Sequence, residues 1–214
     1  MISLSTLMFD FLRLNFSQAP LFHRKQTLMN FLLPALLSLQ IMALFVTTDP
    51  KESTTRLFDF TLDSNIKNWR IVNDDVMGGI SSSTFGLSDA GNGIFMGKVS
   101  TDNNGGFASV RYNMDEFKCD HLKTIRIRLK GDGKNYQFRI KNKSSDYYSY
   151  ITTFSTSGEW ETVEMNLEDF YPSFRGRKLD KPNFNEKSME QVSILIANKK
   201  NESFKLEIDN IELY

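Results

Sequence analysis

The sequence contains few of the residues that form disulfide bonds or bind metal ions. Its 214 residues include one cysteine, Cys119, and two histidines, His23 and His121. A single cysteine excludes an intramolecular disulfide framework and is most simply a small buried apolar residue. Cys119 and His121 form a Cys-x-His pair that lacks the further ligands of a zinc site. We therefore expect neither a bound metal nor a cofactor.

An excess of charge of one sign is also missing. Lysine and arginine together number 26, and aspartate and glutamate together number 26. A neutral chain has no global field to attract nucleic acid or an acidic membrane surface. We expect no nucleic-acid partner.

The familiar catalytic motifs are absent too. The sequence has no serine elbow, no His-Glu-x-x-His and no P-loop. Gly131-Asp132-Gly133 lacks the third glycine and the following helix that a dinucleotide site needs. Asp74, Asp75, Asp102 and Asp132 lie in predicted loops, where turn formation is the commoner role of aspartate. These absences predict a protein that is not an enzyme.

Aromatic residues, by contrast, are plentiful. Eighteen Phe, seven Tyr and two Trp supply large apolar surfaces. Once an N-terminal leader is set aside, about 150–160 residues remain, which fits one domain with a substantial core. The domain therefore needs no disulfide or metal to fold.

The pattern of short apolar runs predicts an all-β domain. The runs recur every 8–15 residues with Gly-rich turns between them, and no long stretch has a helical period. This spacing is typical of a β-sandwich. The predicted strands are 57–60, 69–72, 82–87, 93–99, 107–112, 125–130, 136–140, 147–154, 160–167, 193–197 and 204–213.

The same patterns give several local predictions. Alternation in 125–130 and 136–141 around the turn at 131–133 predicts a β-hairpin. A change of phase at Asp209-Asn210 predicts a β-bulge. Residues 168–184 are aromatic-rich and irregular, which favours a loop.

Asp59 and Asp209 are candidates for a structural calcium ion. Two carboxylates fall short of the six ligands that calcium needs, and the bulge by itself accounts for Asp209.

Two stretches join an apolar run to a Gly-Gly pair and a cluster of Asn and Asp. They are 69–79 (Trp-Arg-Ile-Val-Asn-Asp-Asp-Val-Met-Gly-Gly) and 100–111 (Ser-Thr-Asp-Asn-Asn-Gly-Gly-Phe-Ala-Ser-Val-Arg). Glycine permits backbone angles that other residues avoid, and Asn and Asp cap turns. We predict that the two loops lie side by side, with Asn73 or Asp74 hydrogen-bonded into the second loop. They form either a site for a ligand or partner, or two ordinary tight turns.

Together with Gly131-Asp132-Gly133 and 174–177 (Phe-Arg-Gly-Arg), these stretches give four motifs in order. The set resembles the complex I intermediate-associated protein 30 family, over a region from about residue 57 to residue 214. The resemblance implies a galactose-binding-like jelly roll, as in some carbohydrate-binding modules. It also implies an assembly or chaperone factor for NADH:ubiquinone oxidoreductase.

The resemblance favours a non-enzymatic module that binds protein, with respiratory-chain subunits as the implied partners. The candidate binding residues are Trp69, Asn73, Asp74, Asp75, Gly78, Gly79, Asn103, Asn104, Gly105, Gly106, Arg111, Arg175 and Arg177. The alternative is a carbohydrate-binding module of an exported or envelope protein. Its stacking residues would be Tyr147, Tyr148, Tyr150, Trp160, Tyr171 and Phe174. A third interpretation is a structural envelope domain without a ligand.

The N-terminal region predicts a targeting or anchoring segment. Residues 1–26 form a leader with a basic flank, 27–48 a hydrophobic helix that is a signal peptide or membrane anchor, 49–55 a linker and 56–214 the sandwich. Basic residues before the apolar run predict a domain outside the cytoplasm, exported or held at the membrane. The alternatives are a mitochondrial transit peptide and translation that begins near Met29.

Overall fold

The computed structural model describes residues 54–214, which form thirteen β-strands and three single-turn 3-10 helices. The helices are Asp74–Met77, Asp102–Asn104 and Leu167–Asp169. The strands are β1 (Thr55–Asp59), β2 (Trp69–Asn73), β3 (Ser82–Leu87), β4 (Gly93–Val99), β5 (Ala108–Lys118), β6 (Thr124–Lys130), β7 (Asn135–Lys141), β8 (Ser149–Ser155), β9 (Trp160–Asn166), β10 (Tyr171–Phe174), β11 (Arg177–Lys178), β12 (Ser188–Ile196) and β13 (Glu202–Leu213).

The strands form two antiparallel sheets. One is six-stranded, with the order β3-β4-β13-β6-β9 and β1 paired to the remaining part of the β13 edge. The other is seven-stranded, with the order β11-β10-β8-β7-β12-β5-β2. The predicted all-β sandwich is confirmed.

The core lies between the two sheets and is built from alternate residues of their strands. Alternation along a strand sends successive side chains to opposite faces, so each sheet buries one face. The six-stranded sheet contributes Ile125, Ile127 and Leu129, and the seven-stranded sheet contributes Tyr136, Phe138 and Ile140; each is at most 1% exposed. Burial of one such side chain contributes roughly 1.5–3 kcal/mol to folding.

The predicted hairpin of β6 and β7 is wrong. β6 pairs with β13 and β9 in the six-stranded sheet, whereas β7 pairs with β12 and β8 in the other. The turn at 131–133 therefore carries the chain from one sheet to the opposite one. Alternation identifies the buried face of a strand but not the strands with which it pairs. The apolar faces of β6 and β7 are buried in the same core although the two strands belong to different sheets.

The predicted β-bulge is confirmed. The register of β13 against β6 shifts between Ile208 and Asn210. The carbonyl of Asp209, the intervening residue, accepts a hydrogen bond from the backbone nitrogen of Phe60 (2.9 Å). Its carboxylate lies 3.2 Å from Nε of Arg128. Asp59, the other calcium candidate, lies 2.7 Å from an Arg56 nitrogen, and residues 54–214 contain no cluster of three metal-binding side chains.

Residues 168–184 are more regular than predicted. They contain the end of a 3-10 helix and the short hairpin of β10 and β11, which forms an edge of the seven-stranded sheet. The turn of this hairpin has Arg175 and Gly176 at positive φ of 49° and 76°. Two central residues with positive φ are the backbone of a type I′ turn, which is usually found with Asn-Gly rather than Arg-Gly. The loop was predicted from the aromatic-rich, irregular composition of this stretch, which gives no sign of such a turn.

The predicted N-terminal hydrophobic helix, with its anchor or signal at 27–48, lies outside the described residues. Within 54–214 no helix has the length and apolar character required to cross a membrane.

The crossing at Gly131 gives a test of the fold. A Cβ atom on Gly131 would lie 2.2 Å from Cβ of Thr156. The Thr156 hydroxyl is held by Gly133 and Lys134 and cannot easily give way. We expect Gly131→Ala to lower the free energy of unfolding by about 1–3 kcal/mol, because such overpacking forces the backbone to shift. Chemical denaturation monitored by fluorescence would measure it.

Gly86→Ala on β3 is the matched control. A Cβ there meets no atom within 4 Å, so the change should stay within about 0.5 kcal/mol of the wild type. Equal stability of the two variants would contradict the close crossing at Gly131.

Candidate functional site

A buried carboxylate joins the two Gly-Gly loops. Asp74, only 5% exposed, accepts hydrogen bonds from the backbone nitrogens of Gly106 (2.6 Å) and Phe107 (3.2 Å). It also accepts bonds from the backbone nitrogen of Ser81 (3.1 Å) and from its hydroxyl (2.6 Å). The prediction that the loops lie side by side, with Asp74 bonded into the second, is confirmed.

Ser81, which follows the first loop, adds a second link to the second loop. Its hydroxyl accepts a hydrogen bond from the backbone nitrogen of Ser100 (3.0 Å), at the start of the second loop. Asn73, the alternative bridging residue, instead accepts a bond from the Ser83 hydroxyl (2.7 Å) on β3. Sequence reasoning missed Ser81, although its position two residues after Gly79 places a hydroxyl at the end of the same turn.

The glycine pairs allow the backbone to approach the carboxylate. A Cβ on Gly79 would lie 2.4 Å from Oδ1 of Asp74, and one on Gly105 would lie 2.7 Å from Oδ2. Their neighbours Gly78 and Gly106 adopt positive φ of 84° and 130°. The pairs are thus explained by the packing around Asp74, and this part of the motif serves the fold.

Asp74 stays ionised in this setting. Burial by itself would raise the pKa of its carboxyl group, but the hydrogen bonds from Ser81, Gly106 and Phe107 outweigh burial and lower the pKa below its ordinary value. Donors aimed at a carboxylate stabilise its charged form. At neutral pH Asp74 is therefore an anion with its acceptor capacity largely used, not an open ligand site.

The tips of the loops remain exposed. Asp75, Asn103 and Asn104 face solvent, and Ile80 is an exposed apolar residue of the first loop, with 59% of its surface accessible. Asn103 and Asn104 have positive φ of 54° and 61°, a region that asparagine tolerates better than most residues. These tips form a polar surface that a partner could contact.

The remaining predicted residues lie elsewhere. Trp69 belongs to the core, with its ring stacked 4.9 Å from Tyr112 and 5.1 Å from Phe85. Arg111 lies within β5, on the outer face of the seven-stranded sheet. Arg175 and Arg177 lie at the β10–β11 hairpin, at the opposite edge of that sheet from β2. The thirteen predicted residues therefore do not form one site.

A second surface is aromatic and lies next to Arg175. Tyr147 and Phe174 are 61% and 37% exposed, with ring centroids 5.3 Å apart. The Arg175 guanidinium lies 5.3 Å from the Phe174 ring. Tyr148 packs against Tyr147 at 5.1 Å and is half-buried. We call Tyr147, Phe174 and Arg175 the aromatic patch.

Two other aromatic candidates do not belong to this patch. Tyr150 is buried, and Trp160 lies on the six-stranded sheet below the Arg128 guanidinium. The Cys-x-His pair has no activated thiol, because burial, aided by Asp120 and Glu186, raises the pKa of Cys119 to about 11. A protonated thiol is a poor nucleophile at neutral pH.

Comparison with known proteins identifies relatives of the sandwich domain. The sequence model of the family described as complex I intermediate-associated protein 30 matches residues 58–208. The mitochondrial complex I intermediate-associated protein 30 of Drosophila melanogaster is 25% identical over 150 residues, covering 60% of this chain and 51% of that protein. A probable mitochondrial counterpart in Caenorhabditis briggsae is 24% identical over 180 residues, covering 73% and 53%. The chain spans about half the length of these relatives.

Solved structures resemble the fold. A family 11 carbohydrate-binding module from Clostridium thermocellum, determined with a mixed-linked tetrasaccharide, has a TM-score of 0.58 and 19% identity. The match covers 75% of this chain and 94% of the module. At this identity the likeness establishes the fold alone.

The Asp74 network gives a prediction. Asp74→Asn places an amide NH2 among donors, so we expect the free energy of unfolding to fall by about 2–3 kcal/mol at pH 7, as expected for lost hydrogen bonds to a charged group. Asp75→Asn, one residue away and exposed, is the matched control and should change little. Urea denaturation of both variants would measure this, and equal stability would contradict the role of Asp74.

The same network predicts a dependence on pH. Because the folded-state pKa of Asp74 is lowered, its stabilising contribution is fully present above the ordinary aspartate value of about 3.9 and is lost as pH falls through the folded value. The stability difference between wild type and Asp74→Asn should therefore be constant above about pH 5 and shrink below pH 4. A difference that grows on acidification would contradict the ionised state.

Proposed function

Because this chain belongs to the complex I intermediate-associated protein 30 family, we propose that it is a non-enzymatic assembly factor that binds subunits of NADH:ubiquinone oxidoreductase. The observation that carries the proposal is the match of the family model to residues 58–208. That match runs from β1 to β13, so the sandwich itself is the shared unit. The two matched relatives are named for their association with a complex I intermediate.

The surface is suited to a protein partner. The aromatic patch combines tyrosine, phenylalanine and arginine, and such residues are enriched at the energetic centres of protein interfaces. Exposure of 61% for Tyr147 and 37% for Phe174 leaves apolar area that a partner would bury. The exposed tips of the two Gly-Gly loops supply a separate polar contact surface.

Both matched relatives carry names that place them in mitochondria. This supports a mitochondrial location for the present chain. A mitochondrial transit peptide is the alternative that the sequence offers to a signal peptide or membrane anchor. Under this proposal the basic residues of the leader serve in mitochondrial targeting. The anchor or export signal at 27–48 remains a prediction.

Carbohydrate binding is the second candidate. Its support is the exposed ring of Tyr147 on a sandwich that shares its fold with a carbohydrate-binding module. A sugar platform needs open ring faces. Tyr148 and Tyr150 pack edge-on against each other, at 5.4 Å and 68°, and Tyr150 is buried. We therefore favour protein over carbohydrate as the partner.

The test is affinity capture with the tagged full chain from detergent-solubilised mitochondrial membranes, followed by mass spectrometry. We expect recovery of NADH:ubiquinone oxidoreductase subunits. The Tyr147→Ser/Phe174→Ser variant should recover several-fold less, because truncation of exposed aromatic anchors removes binding energy at an interface centre.

Trp160→Ser is the matched control, because Trp160 has the same 37% exposure as Phe174 but lies on the other sheet. Its capture should equal that of the wild type. Failure of the wild type to recover any subunit of that complex would contradict the assembly role. Binding to a neutral glycan array without such recovery would establish the carbohydrate alternative.

A further inference from the structure

The outer face of the seven-stranded sheet carries a row of arginines in register. Arg70 of β2 is opposite Arg111 of β5, and Arg111 is opposite Ser193 of β12. Ser193 is in turn opposite Arg139 of β7. All point away from the core, because their strand neighbours Trp69, Val110, Phe138 and Ile194 point inward and are at most 7% exposed. We call Arg70, Arg111 and Arg139 the arginine row.

The row lacks the carboxylates that neutralise arginines on the other sheet. On the six-stranded sheet, each arginine pairs with an acid: Arg56 with Glu212 (3.0 Å), Arg126 with Glu164 (2.8 Å) and Arg128 with Asp209 (3.2 Å). Within residues 54–214, none of the three row arginines has an ion pair with a carboxylate. Charge in this neutral chain is therefore unevenly distributed.

Arg111, Arg139 and the neighbouring Lys141 are partly buried, and the charge of Arg111 reaches the other two. Burial lowers the pKa of Arg111. Burial and then the charge of Arg111 lower the pKa of Arg139 to about 10, and the same two causes lower the pKa of Lys141, next along β7 on this face. Because the charge of Arg111 disfavours the charged forms of Arg139 and Lys141, an anion placed among the three would be favoured.

One guanidinium is already oriented. Nε and Nη2 of Arg139 donate hydrogen bonds to Oε1 of Gln137, at 3.1 and 2.6 Å, and these bonds fix the plane of the group. Lys141 donates to the backbone carbonyls of Ser144 and Asp146. Restraint of this kind lowers the entropy lost when a ligand binds.

The space between the arginines suits an extended peptide. Only Ser193, a small side chain, separates Arg111 from Arg139, and strands about 4.8 Å apart place their Cα atoms roughly 10 Å from each other. In an extended segment, residues i and i+2 point the same way at a spacing of about 7 Å. The spacing of two such carboxylates is therefore within reach of the long side chains of Arg111 and Arg139, and guanidinium groups bind carboxylates through paired hydrogen bonds.

We propose that the arginine row is the docking surface for an extended acidic segment of a protein partner, with carboxylates at alternate residues held by Arg111 and Arg139. The inference rests on the proposed protein-binding function and gives it a location and a chemistry. A peptide is favoured over nucleic acid because the chain has no net positive charge. The face also offers the amides of Gln191 and Asn113, which already hydrogen-bond each other at 2.7 Å and can pair with a peptide backbone.

The first test is fluorescence anisotropy with the full chain and a labelled Ser-Glu-Ser-Glu-Ser-Glu peptide. We expect binding that weakens with added salt, and no binding of the matching glutamine peptide. Arg111→Gln/Arg139→Gln should weaken binding about tenfold or more, because it removes charge-assisted hydrogen bonds. The matched control, Arg126→Gln/Arg128→Gln, removes the same charge from the other sheet and should bind like the wild type. Thermal unfolding would establish that both variants are folded.

Equal binding of the two peptides, or equal affinity of the row variant and the wild type, would overturn the proposal. So would an absence of binding to the glutamate peptide. Oligogalacturonate that binds the row more tightly than the peptide would also overturn it, in favour of an acidic glycan.

The capture experiment separates this inference from the proposed function. If the row variant recovers NADH:ubiquinone oxidoreductase subunits as well as the wild type does, the row is not the docking surface and the assembly role stands. If the wild type binds the acidic peptide but recovers no such subunit, the assembly role fails while the acidic-peptide site remains.

Discussion

The constraint on which the structure depends is that two amphipathic sheets must bury their apolar faces against each other. Each strand then has one face in the core and one outside. The buried faces carry the fold, through residues such as Ile127 and Phe138 that are fully buried. The outer faces are free to differ. On the six-stranded sheet each arginine pairs with a carboxylate, whereas on the seven-stranded sheet the half-buried Arg111 and Arg139 pair with none within residues 54–214. The proposed docking of an acidic segment on the arginine row follows from that asymmetry.

The Asp74 network secures one end of this arrangement. Its carboxylate bonds the segment after β2 of the seven-stranded sheet to Ser81, which precedes β3 of the six-stranded sheet. It also holds Gly106 and Phe107, where the chain crosses from β4 to β5 and so between the sheets. A buried carboxylate with its bonds satisfied fixes such a junction, whereas an unsatisfied one would be costly. The most conspicuous motif of the sequence therefore serves the junction, and its exposed tips alone are available for contact.

Sequence patterns predicted the features that depend on residues close to one another along the chain. The strands β3 and β4, the bulge at Asp209 and the contact of Asp74 with the second loop were predicted, because period, phase and turn chemistry are local. The β6–β7 hairpin was wrong because strand pairing is decided by the whole sheet. The arginine row was missed for the same reason: Arg111 and Arg139 meet only through Ser193, which lies far from both along the chain.

The most direct test of the account is a site-specific photo-crosslink from the full chain in native membranes. A photoreactive residue at Thr153 would report the outer face of the seven-stranded sheet, and one at Thr162 the outer face of the other; both positions are exposed. We predict crosslinks to NADH:ubiquinone oxidoreductase subunits from position 153 and none from position 162. Crosslinks to those subunits from position 162 alone, or from neither position, would contradict it.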